Sequence, residues 1–317
     1  MAPTRRDTAL KILTIVLLVL AGALVLGLVW LWTPDKPRAD LEASYLRSPG
    51  DLVDVAGMRL HVRDNGPRDA PVVILLHGFG SSLHTFEPWA LALGERYRVV
   101  RFDMPGTGLS AIDPQGDYTD GRSLVVLEAL MDRLGIAKAT LGGNSMGGRI
   151  AWMFAAAHPE RVDKLILISP DGFASPGLEY GKRPEVPAMV MLMRYVLPKP
   201  FLQMNLAPAY ADPSKLTEET VTRYHDLMLA PGSRDAMIAR MGQLEPQDPA
   251  PFLRRITAPT LLLWGEKDAM IPVSNAADYE RLLPDARVVV LPNLGHVPHE
   301  EDPATALAPV EAFLSGE

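Results

Sequence analysis

The stretch that decides the fold is Leu-Gly-Gly-Asn-Ser-Met-Gly-Gly, residues 141–148. It follows a short apolar run at 137–141 and leads into a helix-like run at 149–157. Its centre matches the pattern G-x-S-x-G, which is typical of a nucleophile when a strand precedes the serine and a helix follows it. Ser145 would occupy a strained turn there, so the crowded positions of Gly143 and Gly147 require small residues.

The helix predicted after Ser145 would direct its free N–H groups and the positive end of its dipole at the serine hydroxyl. Negative charge that develops beside that hydroxyl would be stabilised. The alternative is an ordinary glycine-rich loop between a strand and a helix that happens to contain a serine. The motif by itself leaves both interpretations open, so partners elsewhere in the chain have to decide.

The composition limits the classes of protein to consider. With 317 residues, of which 48% are hydrophobic and 22% charged, the chain can bury a large core as one large domain or two small ones. The net charge of −7 and the lack of any basic tract argue against a nucleic-acid partner. The absence of cysteine excludes disulfides, a cysteine nucleophile and thiolate metal sites, but it does not identify the compartment.

The N-terminal residues predict a membrane anchor and a tether. After a short tail at 1–11, residues 12–32 are almost entirely apolar, and a helix of this length could cross a bilayer core of about 30 Å. A cleaved signal peptide is the alternative, but the run exceeds the usual apolar region of about 7–15 residues. Residues 33–50, rich in proline and charge, are predicted to be a linker.

The membrane orientation rests on the basic residues that flank the predicted anchor. They are equal in number on its two sides, so the positive-inside rule does not decide. A short basic tail directly before the first apolar run usually stays in the cytoplasm. We therefore predict a single-pass, membrane-anchored protein with its larger part outside the cytoplasm.

From residue 51 onward the chain alternates between strand-like and helix-like runs. Strands are predicted at 52–55, 58–63, 72–76, 98–102, 137–141, 164–169, 260–264 and 287–291. Continuous apolar runs of this kind are expected of strands that are buried on both faces. The pattern predicts a mostly parallel, eight-stranded α/β sheet with helices on both faces.

The alternation stops between residues 173 and 254, where prolines and short amphipathic segments replace it. This region predicts a helical insertion that acts as a lid, and it divides the core into 51–172 and 255–317. Methionines cluster in the insertion. They could line an adaptable apolar pocket or only pack the insertion's own core, and the sequence leaves both possibilities open.

A serine nucleophile needs a base, and the base needs an orienting group. Open parallel sheets bind ligands at the carboxyl ends of their strands. His296 lies in the loop after the last predicted strand, and Asp268 lies in the loop after the strand at 260–264. The chain order is then serine, acid, histidine. Asp171, which follows the preceding strand, is the alternative acid.

The other histidines are predicted to have structural roles or to face solvent. His299 lies against an acidic run at the start of the final helix, and His77 lies beside a turn that it would shape. His61 lies in a strand pattern and would be structural or exposed. His84 lies on a helix-like stretch that should face solvent, and Asp103 should fix its own turn.

These features resemble the α/β-hydrolase family over residues 52–314. The matching motifs are His77-Gly78-Phe79-Gly80, Gly143-Asn144-Ser145-Met146-Gly147-Gly148, Gly265-Glu266-Lys267-Asp268 and Gly295-His296. The resemblance implies Ser145 as nucleophile, His296 as base and Asp268 as its partner. It also implies an oxyanion hole formed by the backbone N–H groups of Phe79 and Met146. His77, Gly78, Gly143 and Gly147 would shape the loops, and residues 173–254 would correspond to the cap domain.

The resemblance also bears on the reaction. A serine at the elbow argues against the dehalogenase and epoxide hydrolase branches, which use a carboxylate. Lipase-type esterases and carbon–carbon bond hydrolases of aromatic degradation both resemble residues 144–148, but the latter often carry Trp where Val297 stands and rarely have a membrane anchor. We therefore expect a serine esterase, lipase- or carboxylesterase-like, acting on a small-molecule or lipid ester without metal or cofactor. The alternatives are a meta-cleavage type carbon–carbon hydrolase and a non-catalytic binding protein.

Overall fold

The computed structural model describes residues 5–173 and 179–316. Its strands are β1 (Leu52–Val55), β2 (Met58–Asn65), β3 (Val72–Leu76), β4 (Arg98–Phe102), β5 (Ala139–Asn144), β6 (Val162–Ile168), β7 (Thr260–Gly265) and β8 (Ala286–Leu291). Its α-helices are α1 (Arg5–Leu31), α2 (Arg38–Tyr45), α3 (Glu87–Leu93), α4 (Asp120–Arg133), α5 (Met146–Ala157), α6 (Ala188–Met191), α7 (Lys199–Leu206), α8 (Glu218–Met228), α9 (Ser233–Gln243), α10 (Ala250–Leu253), α11 (Asn275–Leu282), α12 (Pro298–Glu301) and α13 (Pro303–Ser315).

The eight strands form one sheet in the order β1-β2-β4-β3-β5-β6-β7-β8. The pairs β1/β2 and β2/β4 are antiparallel, and all remaining neighbours are parallel. Every residue of β4, β5 and β7 is buried, as expected of strands covered on both faces. The predicted mostly parallel, eight-stranded sheet is confirmed.

The largest difference in a strand boundary is at β5. The strand continues to Asn144, three residues beyond the predicted end at 141. Gly142 and Gly143 pair with β3 on one side and with β6 on the other. The ladder on both sides therefore overrides the weak strand propensity of glycine, and the sheet reaches the residue that precedes Ser145.

Two apolar layers cover the sheet. On one face α4, α5, α10 and α11 bury a cluster that includes Leu127, Trp152 and Tyr279. On the other face α3 and α13 bury a second cluster that includes Trp89 and Val310. Each fully buried side chain of this size contributes about 1.5–3 kcal/mol, so the two layers fix the strands whose carboxyl ends carry the candidate site.

Helices α6 to α10 lie between β6 and β7, where the lid was predicted. We call the helices α6 to α9 and the segments joining them the cap. Met228 and Met237 are buried in its own apolar cluster, whereas Met189 is 73% exposed and Met204 is 69% exposed. Leu253 of α10 belongs to the core cluster instead, although the predicted insertion extends to residue 254.

The N-terminal part differs from expectation. Among the described residues, no helix combines the length and the apolar character that crossing a membrane requires. The predicted transmembrane anchor at residues 12–32 is therefore not supported.

Residues 33–50, predicted to be a linker, contain α2 and pack against the rest of the protein. Leu41 is buried with Leu109 of the core and Leu227 of the cap. The backbone of Lys36 donates to the carbonyl of Leu229 over 2.8 Å. The many prolines and charges concealed this packing, because only one side of the short helix α2 is apolar.

Candidate active site

Ser145 lies on a sharp turn between β5 and α5. Its backbone has φ 53° and ψ −118°, outside the regions that L residues ordinarily adopt. Such a conformation costs about 1–3 kcal/mol and persists only where surrounding contacts impose it. The Ser145 N–H donates to the carbonyl of Ile168 over 3.0 Å, and the Ser145 carbonyl accepts from Asp171 N–H over 3.1 Å. The turn is thus held on both sides by the strand end of β6.

The two glycines of the motif are required by space. A Cβ on Gly143 would lie 2.3 Å from the carbonyl oxygen of Gly147, and a Cβ on Gly147 would lie 2.2 Å from the carbonyl oxygen of Leu76. No side chain fits at such distances from backbone atoms. The close approach predicted for Gly143 and Gly147 from the motif is present in the structure.

A histidine and a carboxylate meet after β7 and β8. Asp268 Oδ2 accepts from His296 Nδ1 over 2.8 Å, and both side chains are almost completely buried. Asp268 Oδ1 accepts from the N–H groups of Met270 and Ile271 at 2.8 and 2.9 Å, which fixes the carboxylate. Because a carboxylate only accepts hydrogen bonds, Nδ1 carries the proton and Nε2 of His296 remains available as a base.

Asn144 connects this pair to the serine turn. Its side-chain amide donates to the carbonyl of His296 over 2.9 Å and to the carbonyl of Ile168 over 3.2 Å. Within the described residues, no hydrogen bond joins Ser145 Oγ to His296. Catalytic hydrogen bonds are often long before substrate binds. Sequence reasoning gave Asn144 no role, although a buried amide directly before the candidate nucleophile was a usable signal.

The predicted oxyanion donors lie beside Ser145. Phe79, Met146 and Ser145 line one cavity of about 220 Å³. Among the described residues, the N–H groups of Phe79 and Met146 have no acceptor. A Cβ on Gly78 would lie 3.5 Å from Cβ of Ser145, so the two turns are in contact. Two free amides next to a serine can stabilise a negative oxygen formed there.

His77 fixes the first of these turns. Its Nδ1 donates to the carbonyl of Gly78 over 2.8 Å, and its Nε2 accepts from Met104 N–H over 3.1 Å. The side chain is fully buried, and burial lowers its pKa. His77 therefore stays neutral near pH 7, and its two hydrogen bonds connect Gly78 with Met104 at the loop that it was predicted to shape.

The competing candidates lie in other arrangements. Asp171 forms an ion pair with Arg149, so it does not orient His296. His299 is buried with its Nε2 at 3.0 Å from Thr85 Oγ1, and burial lowers its pKa to about 3. A neutral, enclosed imidazole without a carboxylate partner is a structural residue. These contacts favour His296 and Asp268 over the alternatives.

The predictions for His84 and Asp103 had opposite outcomes. His84 is buried, so the prediction that it faces solvent is wrong. Arg63 of β2 and Tyr45 of α2 cover it, and the sequence gave no sign of that packing. Asp103 fixes its own turn as predicted, since it accepts from the N–H groups of Leu83 and Leu109 at 2.7 and 2.9 Å.

Asp103 also binds His61. The Asp103 carboxylate accepts from His61 Nδ1 over 2.8 Å, and both side chains are fully buried. Burial by itself would raise the pKa of Asp103, but the contact with His61 outweighs it and holds that pKa well below its ordinary value. His61 is therefore structural, one of the two possibilities that its strand pattern allowed.

Charged groups share the cavity with the serine. Arg149 of α5 and Arg240 of α9 both line it, together with Asp171, Met241 and Leu244. Arg149 is held by Asp171 and by Asp120 Oδ1, the latter over 3.1 Å. In the described parts of the chain, no group of three acidic, histidine or cysteine side chains is placed to hold a metal ion.

Comparison with known proteins agrees with this architecture. A family described as alpha/beta hydrolase fold matches residues 71–303. The chain is 31% identical over 253 residues to a 2-hydroxy-6-oxo-6-phenylhexa-2,4-dienoate hydrolase of Burkholderia cepacia, covering 76% of this chain and 86% of the relative. It is 26% identical over 286 residues to Lipase 3 of Moraxella sp. (strain TA144), covering 89% and 87% of the two chains.

A solved structure extends the likeness to nearly the whole chain. The crystal structure of a membrane phospholipase A, described as a bacterial virulence factor, superposes with a TM-score of 0.73 at 30% identity and covers 96% of this chain and 98% of that one. The elbow at Ser145, the sheet order and the family match over most of the sequence lead to one conclusion. The chain belongs to the α/β-hydrolase family.

Proposed function

We propose that the protein hydrolyses carboxylic esters through an acyl-enzyme on Ser145, with His296 as the base and Asp268 as the group that orients it. One observation carries the proposal. The strained serine lies beside two amides without acceptors, and a buried histidine–carboxylate pair is tied to the same turn. This is the set of parts that acyl transfer requires.

The reaction would follow from these positions. His296 Nε2 takes the proton as Ser145 Oγ attacks the ester carbonyl, and Asp268 stabilises the imidazolium that forms. The N–H groups of Phe79 and Met146 bind the oxyanion, each such donor being worth about 10²–10³ in rate. Protonated His296 then gives its proton to the departing alcohol. Water repeats the sequence on the acyl-enzyme and releases the acid.

A carbon–carbon bond hydrolase is the second candidate, because the 2-hydroxy-6-oxo-6-phenylhexa-2,4-dienoate hydrolase of Burkholderia cepacia is 31% identical to this chain. The ester reading is supported by the phospholipase structure, which matches 96% of the chain at similar identity. Val297 also favours ester hydrolysis, because carbon–carbon bond hydrolases often carry Trp at this position. The valine is buried in one cluster with Tyr210 of the cap. A non-catalytic binding role would leave the strain at Ser145 without a use.

We further propose that α1 attaches the protein to a lipid surface, with the catalytic part outside the cytoplasm and a small-molecule or lipid ester as substrate. Large apolar side chains of α1 are exposed; they include Ile12, Leu13, Ile15, Leu17, Leu18 and Leu20. Exposed apolar surface of this extent is typical of a membrane or protein contact. Trp32 stacks on Tyr195 of the cap with ring centroids 5.6 Å apart, which would bring the cap close to that surface.

Turnover of nitrophenyl esters from acetate to palmitate tests the reaction, with Ser145→Ala as the control. A vinylogous diketone acid tests the carbon–carbon alternative in parallel. Ester turnover that the alanine variant lacks would support the proposal. Activity unchanged in that variant would overturn it, and turnover of the diketone acid alone would select the second candidate.

Membrane fractionation of a Leu17→Asp, Leu20→Asp variant tests the attachment through α1. If α1 attaches the protein to a lipid surface, the two charges should release the variant into the soluble fraction.

A further inference from the structure

Arg240 is a buried cation that lines the cavity of Ser145. Arg240 lies on α9 of the cap and is 6% exposed. Its NH2 donates to the carbonyl of Pro105 over 3.1 Å, and its NH1 reaches the carbonyl of Tyr118 and the hydroxyl of Ser123, both over 3.4 Å. In the described part of the protein, Arg240 Nε–H has no acceptor.

The charge of Arg240 also has no carboxylate partner among the described residues. Within the described residues no carboxylate is paired with it, because the neighbouring Asp120 and Asp171 both bind Arg149. Burial, and after it the like charge of Arg149, lower the pKa of Arg240 to about 10, while Asp120 acts in the opposite direction. Besides its neutral oxygen acceptors, the guanidinium lies over the Tyr118 ring, 5.5 Å from the ring centroid. A buried cation without a paired carboxylate is costly, so a ligand anion would stabilise it.

On the basis of the ester hydrolase proposed above, we propose that Arg240 is a specificity-determining residue that binds an anionic group of the substrate, a carboxylate or a phosphodiester, beside the scissile ester. Ser145 and Arg240 line the same cavity, so an ester that reaches the serine enters a cavity that this arginine also lines. A planar guanidinium suits the oxygen pair of either anion. Arg149 lies on the same cavity wall and would add attraction at longer range.

The competing explanation is that Arg240 only fastens the cap to the core through Pro105 and Tyr118. A matched residue separates the two roles. Arg234 lies on the same helix, is 5% exposed, and fastens α9 through Asp35 and the carbonyl of Thr33 at 2.6 and 2.8 Å. It is absent from the lining of the Ser145 cavity. Loss of either arginine loosens the cap, but only Arg240 faces the substrate.

The experiment compares pairs of substrates in which one member is anionic and the other is neutral. 4-Nitrophenyl hydrogen glutarate is paired with its neutral methyl ester, and dihexanoylphosphatidylglycerol is paired with dihexanoylglycerol. The full-length protein, Arg240→Gln, Arg240→Lys and Arg234→Gln are assayed for kcat/KM. We expect Arg240→Gln to lower kcat/KM for the charged member of one pair by about 10- to 100-fold, as for loss of a hydrogen bond to a charged group, with a much smaller effect on its neutral partner.

The two substrate pairs identify the anion. A change in the glutarate pair indicates that Arg240 binds a carboxylate, and a change in the phosphatidylglycerol pair indicates that it binds a phosphodiester. Arg234→Gln should leave the ratio between charged and neutral members unchanged. If Arg240→Gln fails to fold, Arg240→Lys provides the same test, because the ammonium keeps the charge but loses the planar fork and should lower the ratio in part. An unchanged ratio in the Arg240 variants, with neutral esters still hydrolysed, overturns this inference alone. Failure of the wild type on all four esters, without labelling of Ser145 by a fluorophosphonate, overturns the ester hydrolase itself.

Discussion

The core and the cap contribute to the cavity in different ways. The core supplies Ser145, Asp268 and His296 from loops that directly follow strands, and every residue of β5 and β7 is buried. The cap supplies Arg240 and Met241 from α9, in which Asp235 is exposed. A strand that is hydrogen-bonded on both sides allows little displacement, whereas segments outside the sheet tolerate more change. Under the proposed function, the core would carry the chemistry and the cap would select the substrate.

The division is not complete, because the cap also contacts His296, the proposed base. The N–H of His296 donates to the carbonyl of Ala209 in the cap over 2.8 Å, and Tyr210 packs beside Val297. Movement of the cap would therefore change the position of His296 as well as access to Ser145. Variants in the core should abolish turnover, and variants in the cap should redistribute it among substrates.

The largest effect is expected in the core at Ser145. Ser145→Ala should lower kcat on nitrophenyl esters by about 10⁶-fold, the scale known for loss of a serine nucleophile. The change removes one oxygen and leaves the glycine contacts of the turn in place, so thermal unfolding should stay close to the wild type. Retention of more than about a hundredth of the turnover would remove the serine from the mechanism.

Asp268→Asn should have the next largest effect. The amide would still fill the space beside His296, but its NH₂ group would face Nδ1 and favour the wrong tautomer. By analogy with serine proteases, kcat should fall by up to about 10⁴-fold. Asp171→Asn is the matched control, since that carboxylate pairs with Arg149 rather than with the histidine. Equal losses in the two variants would contradict the assignment of Asp268.

The sequence predicted those parts of the fold and the candidate site that depend on residues close together in the chain. The elbow at Ser145 and the loops of Asp268 and His296 follow directly from strands, so short motifs located them. Arg240 gave no such signal, because an arginine in an amphipathic segment looks like a solvated residue until the cap is placed. The burial of His84 likewise depends on α2 and β2, which contribute residues far apart in the chain.

A cap substitution should change selectivity rather than chemistry. Met241→Trp narrows the cavity of about 220 Å³, so long acyl chains should lose about tenfold or more in kcat/KM relative to acetate. Met189→Trp makes the same change at a cap position that is 73% exposed, and the chain-length profile should stay as in the wild type. Chain-length profiles from nitrophenyl acetate to palmitate measure both. Equal shifts in the two variants would show that cap stability, not cavity shape, sets the profile.

The smallest effect concerns stability against pH and tests the rigidity of the core. His299 is buried, and burial lowers its pKa to about 3 from an ordinary value of 6.5. The unfolded chain therefore binds a proton that the folded one excludes, and stability is lost as pH falls below about 6.5. The slope from this residue approaches about 1.4 kcal/mol per pH unit well below that value. Urea unfolding between pH 7 and pH 5 should show a shallower loss in His299→Gln. Thr85→Val removes the hydroxyl that contacts both His299 and Glu300 but keeps the buried imidazole, so its loss of stability with falling pH should stay close to that of the wild type. If stability falls with pH as steeply in His299→Gln as in the wild type, the core accommodates a charged imidazole. The contrast between a rigid core and a more adaptable cap would then not hold for this part of the core.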